Sequence, residues 1–232
     1  MGADNVIYVK KYDAQDMEKF PVHEREIWRY SGYMGLDKNP DEELKKYLAD
    51  IYKELEGKFQ FKVCYRRMPL QWENDMPQLP FTCHSKDLAK CLAGCDEVIL
   101  FAATIGLEID RKIARYERIS PTKALLSHAY GAERIESLCD GFCREIEQEL
   151  SEEQLYCSNR FSPGYGDLPL ETQVDFFRLM DCNRQIGISL NDSLLMTPSK
   201  SVTAIFGIGK CGWNRQEHKC SECSNTECEF RR

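Results

Sequence analysis

The hydrophobic pattern changes period several times along the chain, and each change predicts an element. Residues 14–56 carry helical spacing: Glu24 to Tyr33 groups Ile27, Trp28 and Tyr30 before Gly32 breaks the run. Pro40, Asp41 and Glu42 then open a second helix, with Leu44, Tyr47, Leu48, Ile51 and Leu55 at 3- and 4-residue intervals and Gly57 near its end. From there the period falls to two. Phe59, Phe61, Val63 and Tyr65 alternate with Gln60, Lys62 and Cys64, which predicts a strand with one face in the core.

Ser85 to Leu92 has the form of a short helix opened by a serine cap. Glu97 to Thr104 (EVILFAAT) is an unbroken apolar run that stops at Gly106, as in a central strand. Ser120-Pro121 begins a long helix reaching Leu150, its buried stripe marked by Ile135, Leu138, Phe142, Ile146 and Leu150. Pro163, Gly164, Gly166 and Pro169 make residues 158–170 a loop, Glu171 to Cys182 returns to helical spacing, and Ser201 to Ile208 is a second apolar strand. Beyond Gly209 the chain is polar and cysteine-rich, without hydrophobic periodicity, and no internal repeat or low-complexity tract is present.

Strands and helices without regular βαβα alternation predict an α+β fold: a largely antiparallel twisted sheet with long helices, plus a small cysteine-rich tail. The expected division is a body over residues 1–209, its helical N-terminal part about 1–57, and a tail over 210–232. At 232 residues and 42% hydrophobic content the chain is long and apolar enough for a sizeable core. Its 31 basic against 38 acidic residues give a net charge of −7, which argues against nucleic acid or an anionic membrane as partner. The longest apolar run, Val98 to Ala103, is far short of a membrane span, and Met1 to Lys11 lacks the basic start and apolar block of a secretory signal. A cytoplasmic protein is expected.

Twelve cysteines are the compositional anomaly, and in a reducing compartment they are expected as thiols or metal ligands. Cys211, Cys220, Cys223 and Cys228 have the spacing C-x8-C-x2-C-x4-C, which suits a four-sulfur site for zinc or an iron–sulfur cluster. Zinc would clip the tail in place, whereas a cluster could carry an electron. Cys91 with Cys95, and Cys139 with Cys143, lie four apart on helices and are expected to pack as small apolar groups, as are Cys64, Cys83, Cys157 and Cys182. His23, His84, His128 and His218 form no catalytic pattern.

The segment Arg160-Phe161-Ser162-Pro163-Gly164-Tyr165-Gly166 joins residue types that can hold a small, partly anionic ligand. A guanidinium grips a carboxylate with two parallel hydrogen bonds, Pro163 favours an extended Ser162, and the two glycines admit close backbone approach. Together with Met196, Pro198, Ser201 and Val202 further on, the elements Arg160, Gly164 and Tyr165 resemble two motifs of one family. These are the Arg-x-x-x-Gly-Tyr and Met-x-Pro-x-x-Ser-Val motifs of the activation domain of cobalamin-dependent methionine synthase. The likeness covers roughly residues 85 to 209, and REIWRYSGY near the N-terminus is similar to stand-alone forms of the domain.

The resemblance implies an S-adenosylmethionine site. Arg160 would pair with the methionyl carboxylate, the backbone around Ser162 and Gly164 would meet the adenosyl portion, and Tyr165 would lie by the sulfonium. Glu136 on the long helix would accept hydrogen bonds from the ribose, with Asp140 one turn later on the same face. The family's N-terminal aspartate has no assignable equivalent, and the acidic segment before the arginine motif is shorter. The implied role is reductive methylation of cob(II)alamin on a partner methionine synthase or related corrinoid methyltransferase. Its electron would come from a donor such as flavodoxin or ferredoxin. No Asp-x-His-x-x-Gly signature for a cobalamin domain occurs, so the cobalamin is expected on the partner. Two alternatives compete: a redox or docking protein built around the tail, and a free-standing S-adenosylmethionine-dependent methyltransferase. The second lacks the glycine-rich turn expected after EVILFAAT, which has only Gly106.

Overall fold

A computed structural model describes residues 6–33 and 40–210. In chain order its elements are β1 (Tyr8–Tyr12), a 3-10 turn (Ala14–Lys19), α1 (Glu24–Tyr30), α2 (Glu42–Leu55), β2 (Phe61–Pro69), β3 (Gln71–Glu73), β4 (Met76–Gln78) and α3 (Lys86–Leu92). There follow β5 (Glu97–Thr104), α4 (Glu108–Ile119), α5 (Pro121–Ser151), β6 (Tyr156–Cys157), α6 (Thr172–Met180), α7 (Cys182–Ile186), β7 (Ser189–Leu190), β8 (Met196–Thr197) and β9 (Ser201–Gly209). Five strands form one sheet in the order β1-β2-β5-β9-β6, every neighbouring pair antiparallel. The run EVILFAAT is its central strand, as its apolar pattern requires.

Because side chains alternate across a strand, the sheet feeds two separate cores. On one face Phe61, Val63, Ile99, Phe101, Ala103, Ala204 and Phe206 pack under α5, with α1, α2 and α4 around it. On the other, Cys64, Met68, Val98, Leu100, Ala102 and Ile205 meet α3, α6 and α7. This corrects the half-buried reading of β2. The strand runs on to Pro69, and Cys64 and Met68 bury its second face.

The 31-residue α5 starts where Ser120 caps it, the serine oxygen accepting from the Lys123 N–H, and Pro121 occupies a first-turn position that needs no donor. Gly141 lets the N-terminal segment approach: a Cβ there would lie 2.4 Å from the Phe20 ring. In α2, Asp41 caps by accepting from the Leu44 N–H at 2.8 Å. The region 14–56 is helical in pieces, since residues 20–23 are non-helical between the 3-10 turn and α1. Among the described residues no helix is long and apolar enough to cross a membrane.

Candidate functional site

The arginine loop is built on the edge of β9. Tyr156 and Cys157 pair with Gly209 and Ile208, after which the ladder is interrupted without being lost. The Ser158 N–H donates to the Gly207 carbonyl and its Oγ accepts the Gly207 N–H, both at 2.8 Å, so a side chain replaces one main-chain acceptor. Pairing resumes at Phe161, which exchanges two 2.8 Å hydrogen bonds with Ile205. Phe161 packs into the core shared by α3 and α6, and alternation turns the neighbouring Arg160 towards α5. Beyond Ile205 the loop leaves the edge, so the Thr203 main chain has no strand partner on that side among the described residues.

Arg160 Nη2 donates to Asp140 at 2.6 Å and to Glu136 at 3.1 Å. Its side chain is 24% exposed, and its remaining donors, on Nε and Nη1, have no acceptor among the described residues. Burial alone would weaken the guanidinium's hold on its proton. The buried Cys139 and Cys143 beneath it and the two carboxylates outweigh that effect and raise its pKa. Both two-donor edges of a guanidinium include Nη2, so with Nη2 on the two acids a further carboxylate can take a single charge-assisted hydrogen bond from Nη1 or Nε.

The rest of the loop is a compact turn. The Tyr165 N–H donates to the Ser162 carbonyl at 3.1 Å, and Gly164 and Leu168 bond to each other's side of the turn through Leu168 O and Tyr165 O. Gly164 and Gly166 have φ of +89° and +51°, and a Cβ on Gly166 would meet Asp87 Oδ2 at 2.6 Å. Tyr165 is 69% exposed, its ring open to solvent. Thus the structure joins Arg160, Glu136 and Asp140 directly and places Ser162, Gly164 and Tyr165 in the adjoining turn.

Sequence reasoning missed the residue that anchors this turn. Asp167 accepts from Ser85 Oγ, from the Lys86 N–H at 2.8 Å and from the Asp87 N–H at 3.2 Å, capping α3 from 80 or more residues away. These donors, the serine hydroxyl first, hold its carboxyl below the usual aspartate range. Cys91, expected to be a passive packing residue, donates from α3 to the Asn159 carbonyl at 3.1 Å. The Met-x-Pro block is tied in separately. Met196 packs on the same core as Phe161, Thr197-Pro198 is cis, the Ser199 N–H donates to Asp110 at 3.0 Å, and Ser201 Oγ reaches both Thr104 and the Pro198 carbonyl. Helical spacing of Ile109 and Ile113 signals α4, the element that supplies Asp110.

Two surface concavities lie elsewhere. One, of about 690 Å³, runs between Trp72, Met76, Lys86 and Lys90; the other, of about 430 Å³, is lined by Arg111, Arg115 and Arg118 of α4. Neither includes a residue of the arginine loop. Cys211, Cys220, Cys223 and Cys228 lie outside the described residues, and among the described ones no group of three or more His, Cys, Asp or Glu is arranged to hold a metal.

An antiparallel sheet between two helical layers, with a charged loop on the edge of its last long strand, defines an α+β module. The sequence model of the family described as "Vitamin B12 dependent methionine synthase, activation domain" matches residues 71–211. The chain belongs to that family. A solved structure described as the MetH reactivation domain bound to AdoHcy is similar in fold, with a TM-score of 0.63 and 15% identity over 87% of this chain and 78% of that one. No curated protein matches the sequence.

Proposed function

We infer that this chain binds S-adenosylmethionine at the arginine loop and supports reductive methylation of cob(II)alamin on a cobalamin-carrying partner. That partner is a methionine synthase or a related corrinoid methyltransferase. The observation that carries the reading is Arg160, whose Nε and Nη1 have no acceptor among the described residues, held beside two acids in a member of the activation-domain family. That the similar MetH domain is described with AdoHcy bound supports the same ligand class.

The residues present fit the ligand. Arg160 gives the methionyl carboxylate a single charge-assisted hydrogen bond from Nη1 while Nη2 stays on α5. Glu136 holds Arg160 through Oε2 and keeps Oε1 for the ribose hydroxyls. The Ser162 N–H and the turn at Gly164 face the adenosyl portion, and the exposed Tyr165 ring covers the sulfonium end. When bound, S-adenosylmethionine supplies an electrophilic methyl group. The electron for cob(II)alamin comes from a donor such as flavodoxin or ferredoxin. What the chain contributes is orientation, which needs no general acid or base. The cytoplasm is the compartment that fits this reading, and the tail cysteines fit a zinc or iron–sulfur site.

The test mixes the full chain with a cob(II)alamin-loaded methionine synthase lacking its own activation domain, S-adenosylmethionine and a one-electron reductant, and follows the corrinoid spectrum. Conversion to methylcobalamin that requires this chain is expected. An equal rate without it would contradict the reading.

A further inference from the structure

One cluster of exposed charge has no part in the arginine loop. Arg111, Arg115 and Arg118 stand on one face of α4, spaced four and three residues apart, and a concavity of about 430 Å³ lies among them. Arg111 is 70% exposed and pairs with Glu108. Arg115 and Arg118 are exposed and have no acidic partner among the described residues. Aliphatic side chains frame the three: Leu107 before them, Ala114 between them and Ile119 after them, all open to solvent. The chain as a whole carries a net charge of −7, so this face runs against its overall sign.

We propose that this face of α4 is the docking surface for an acidic electron-donor protein. The proposal rests on the reading that the chain supports reductive methylation, and it names where the protein that brings the electron sits. Exposed arginines framed by aliphatic groups have the composition of a protein interface, and two cations without counter-charges call for carboxylates opposite. Nucleic acid fits less well, because three arginines on one short helix offer few phosphate contacts and the rest of the chain is acidic.

Position separates this partner from the one that carries cobalamin, which must meet the arginine loop. Ile109 packs against Gly131, where a Cβ would lie 2.9 Å from its Cγ1, and α4 runs antiparallel to the first half of α5. At about 1.5 Å per residue, the arginines lie roughly 10 to 20 Å along α5 from Glu136. They are clear of the loop, yet near enough for two proteins to sit side by side. The reductant is the second protein the reaction needs: it gives up one electron, and cob(II)alamin takes it.

The test measures binding of the full chain to a flavodoxin of acidic pI by calorimetry at low and high salt, on wild type, Arg115→Glu/Arg118→Glu and Arg115→Lys/Arg118→Lys. The corrinoid assay is run beside it with two reductants, the reduced flavodoxin and titanium(III) citrate. Charge reversal is expected to weaken flavodoxin binding on the order of tenfold and to slow only the flavodoxin-driven reaction. The lysine variant keeps most of the affinity, and high salt weakens the wild type. Equal flavodoxin affinity in wild type and the charge-reversed variant, or no binding to folded wild type at low salt, would overturn the docking surface. Tighter binding of a DNA duplex than of flavodoxin would overturn it in favour of nucleic acid. Titanium-driven methylation in those cases leaves the proposed function standing, whereas its absence in wild type overturns that reading and this one with it.

Discussion

Arg134 and Glu133 offer a sharp test of how the N-terminal segment is held on α5. Their side chains are 5% and 2% exposed, paired through Arg134 Nε to Glu133 Oε2 at 2.6 Å and Nη2 to Oε1 at 2.8 Å. The same guanidinium donates to the Phe20 carbonyl at 2.9 Å and the Pro21 carbonyl at 2.6 Å, and Glu133 Oε1 accepts the His23 N–H at 2.9 Å. Arg134→Met leaves Glu133 as a buried carboxylate with one backbone donor, and leaves the Phe20 carbonyl without its guanidinium. Breaking one side of a buried ion pair in this way costs about 3–5 kcal/mol. For a chain of this length that is a fall of roughly 6–20 °C in melting temperature. Urea unfolding followed by far-ultraviolet circular dichroism measures it. The double variant Glu133→Leu/Arg134→Met removes the stranded charge and recovers part of the loss, since apolar replacement of a whole buried pair is often close to neutral. A single variant within about 1 kcal/mol of wild type, or a double variant less stable than the single, would refute the reasoning.

Three further outcomes follow from particular contacts. Asp167→Ala unties the arginine turn from α3; a loss of about 1 kcal/mol, typical of a removed helix cap, is expected in thermal melts, with weaker S-adenosylmethionine binding by calorimetry. Unchanged affinity would show that the anchor does not position the loop. Burial pushes Tyr116 and Tyr130 up to about 12 and raises Tyr12 and Tyr52 as well. Above pH 10 the unfolded chain releases these protons while the folded chain keeps them, so stability is full below pH 10 and falls as pH rises towards 12; ultraviolet titration of tyrosinate in native and urea-unfolded protein checks it. Gly166→Ala drives a Cβ towards Asp87 at a positive φ and is expected to lower ligand affinity more than stability, compared by calorimetry and melting.

Long, strongly periodic segments were legible in the sequence. The stripe of α5, its serine cap and the unbroken run of β5 each state one requirement that the tertiary structure also imposes. β1 was not legible, because in an edge strand only Tyr12 is buried and alternation barely registers. The hairpin β3–β4 has three-residue strands, too short for any period to show, joined by Asn74 and Asp75 at positive φ. At the candidate site, the resemblance named Arg160 and Glu136 and helical spacing put Asp140 on the same face, and the structure brings these three side chains together. Asp167 escaped because its partners lie at residues 85–87, and a cap supplied from so far along the chain leaves no local pattern. The broken ladder at Ser158 escaped for a related reason: a serine oxygen standing in for a carbonyl looks like any serine in a loop.

Calorimetric titration of the full chain with S-adenosylmethionine, beside the Arg160→Ala variant, tests the central claim most directly. Saturable binding to wild type that is lost in a variant of unchanged circular dichroism is the predicted result. Equal affinity in the two proteins would contradict the assignment of the ligand carboxylate to Arg160.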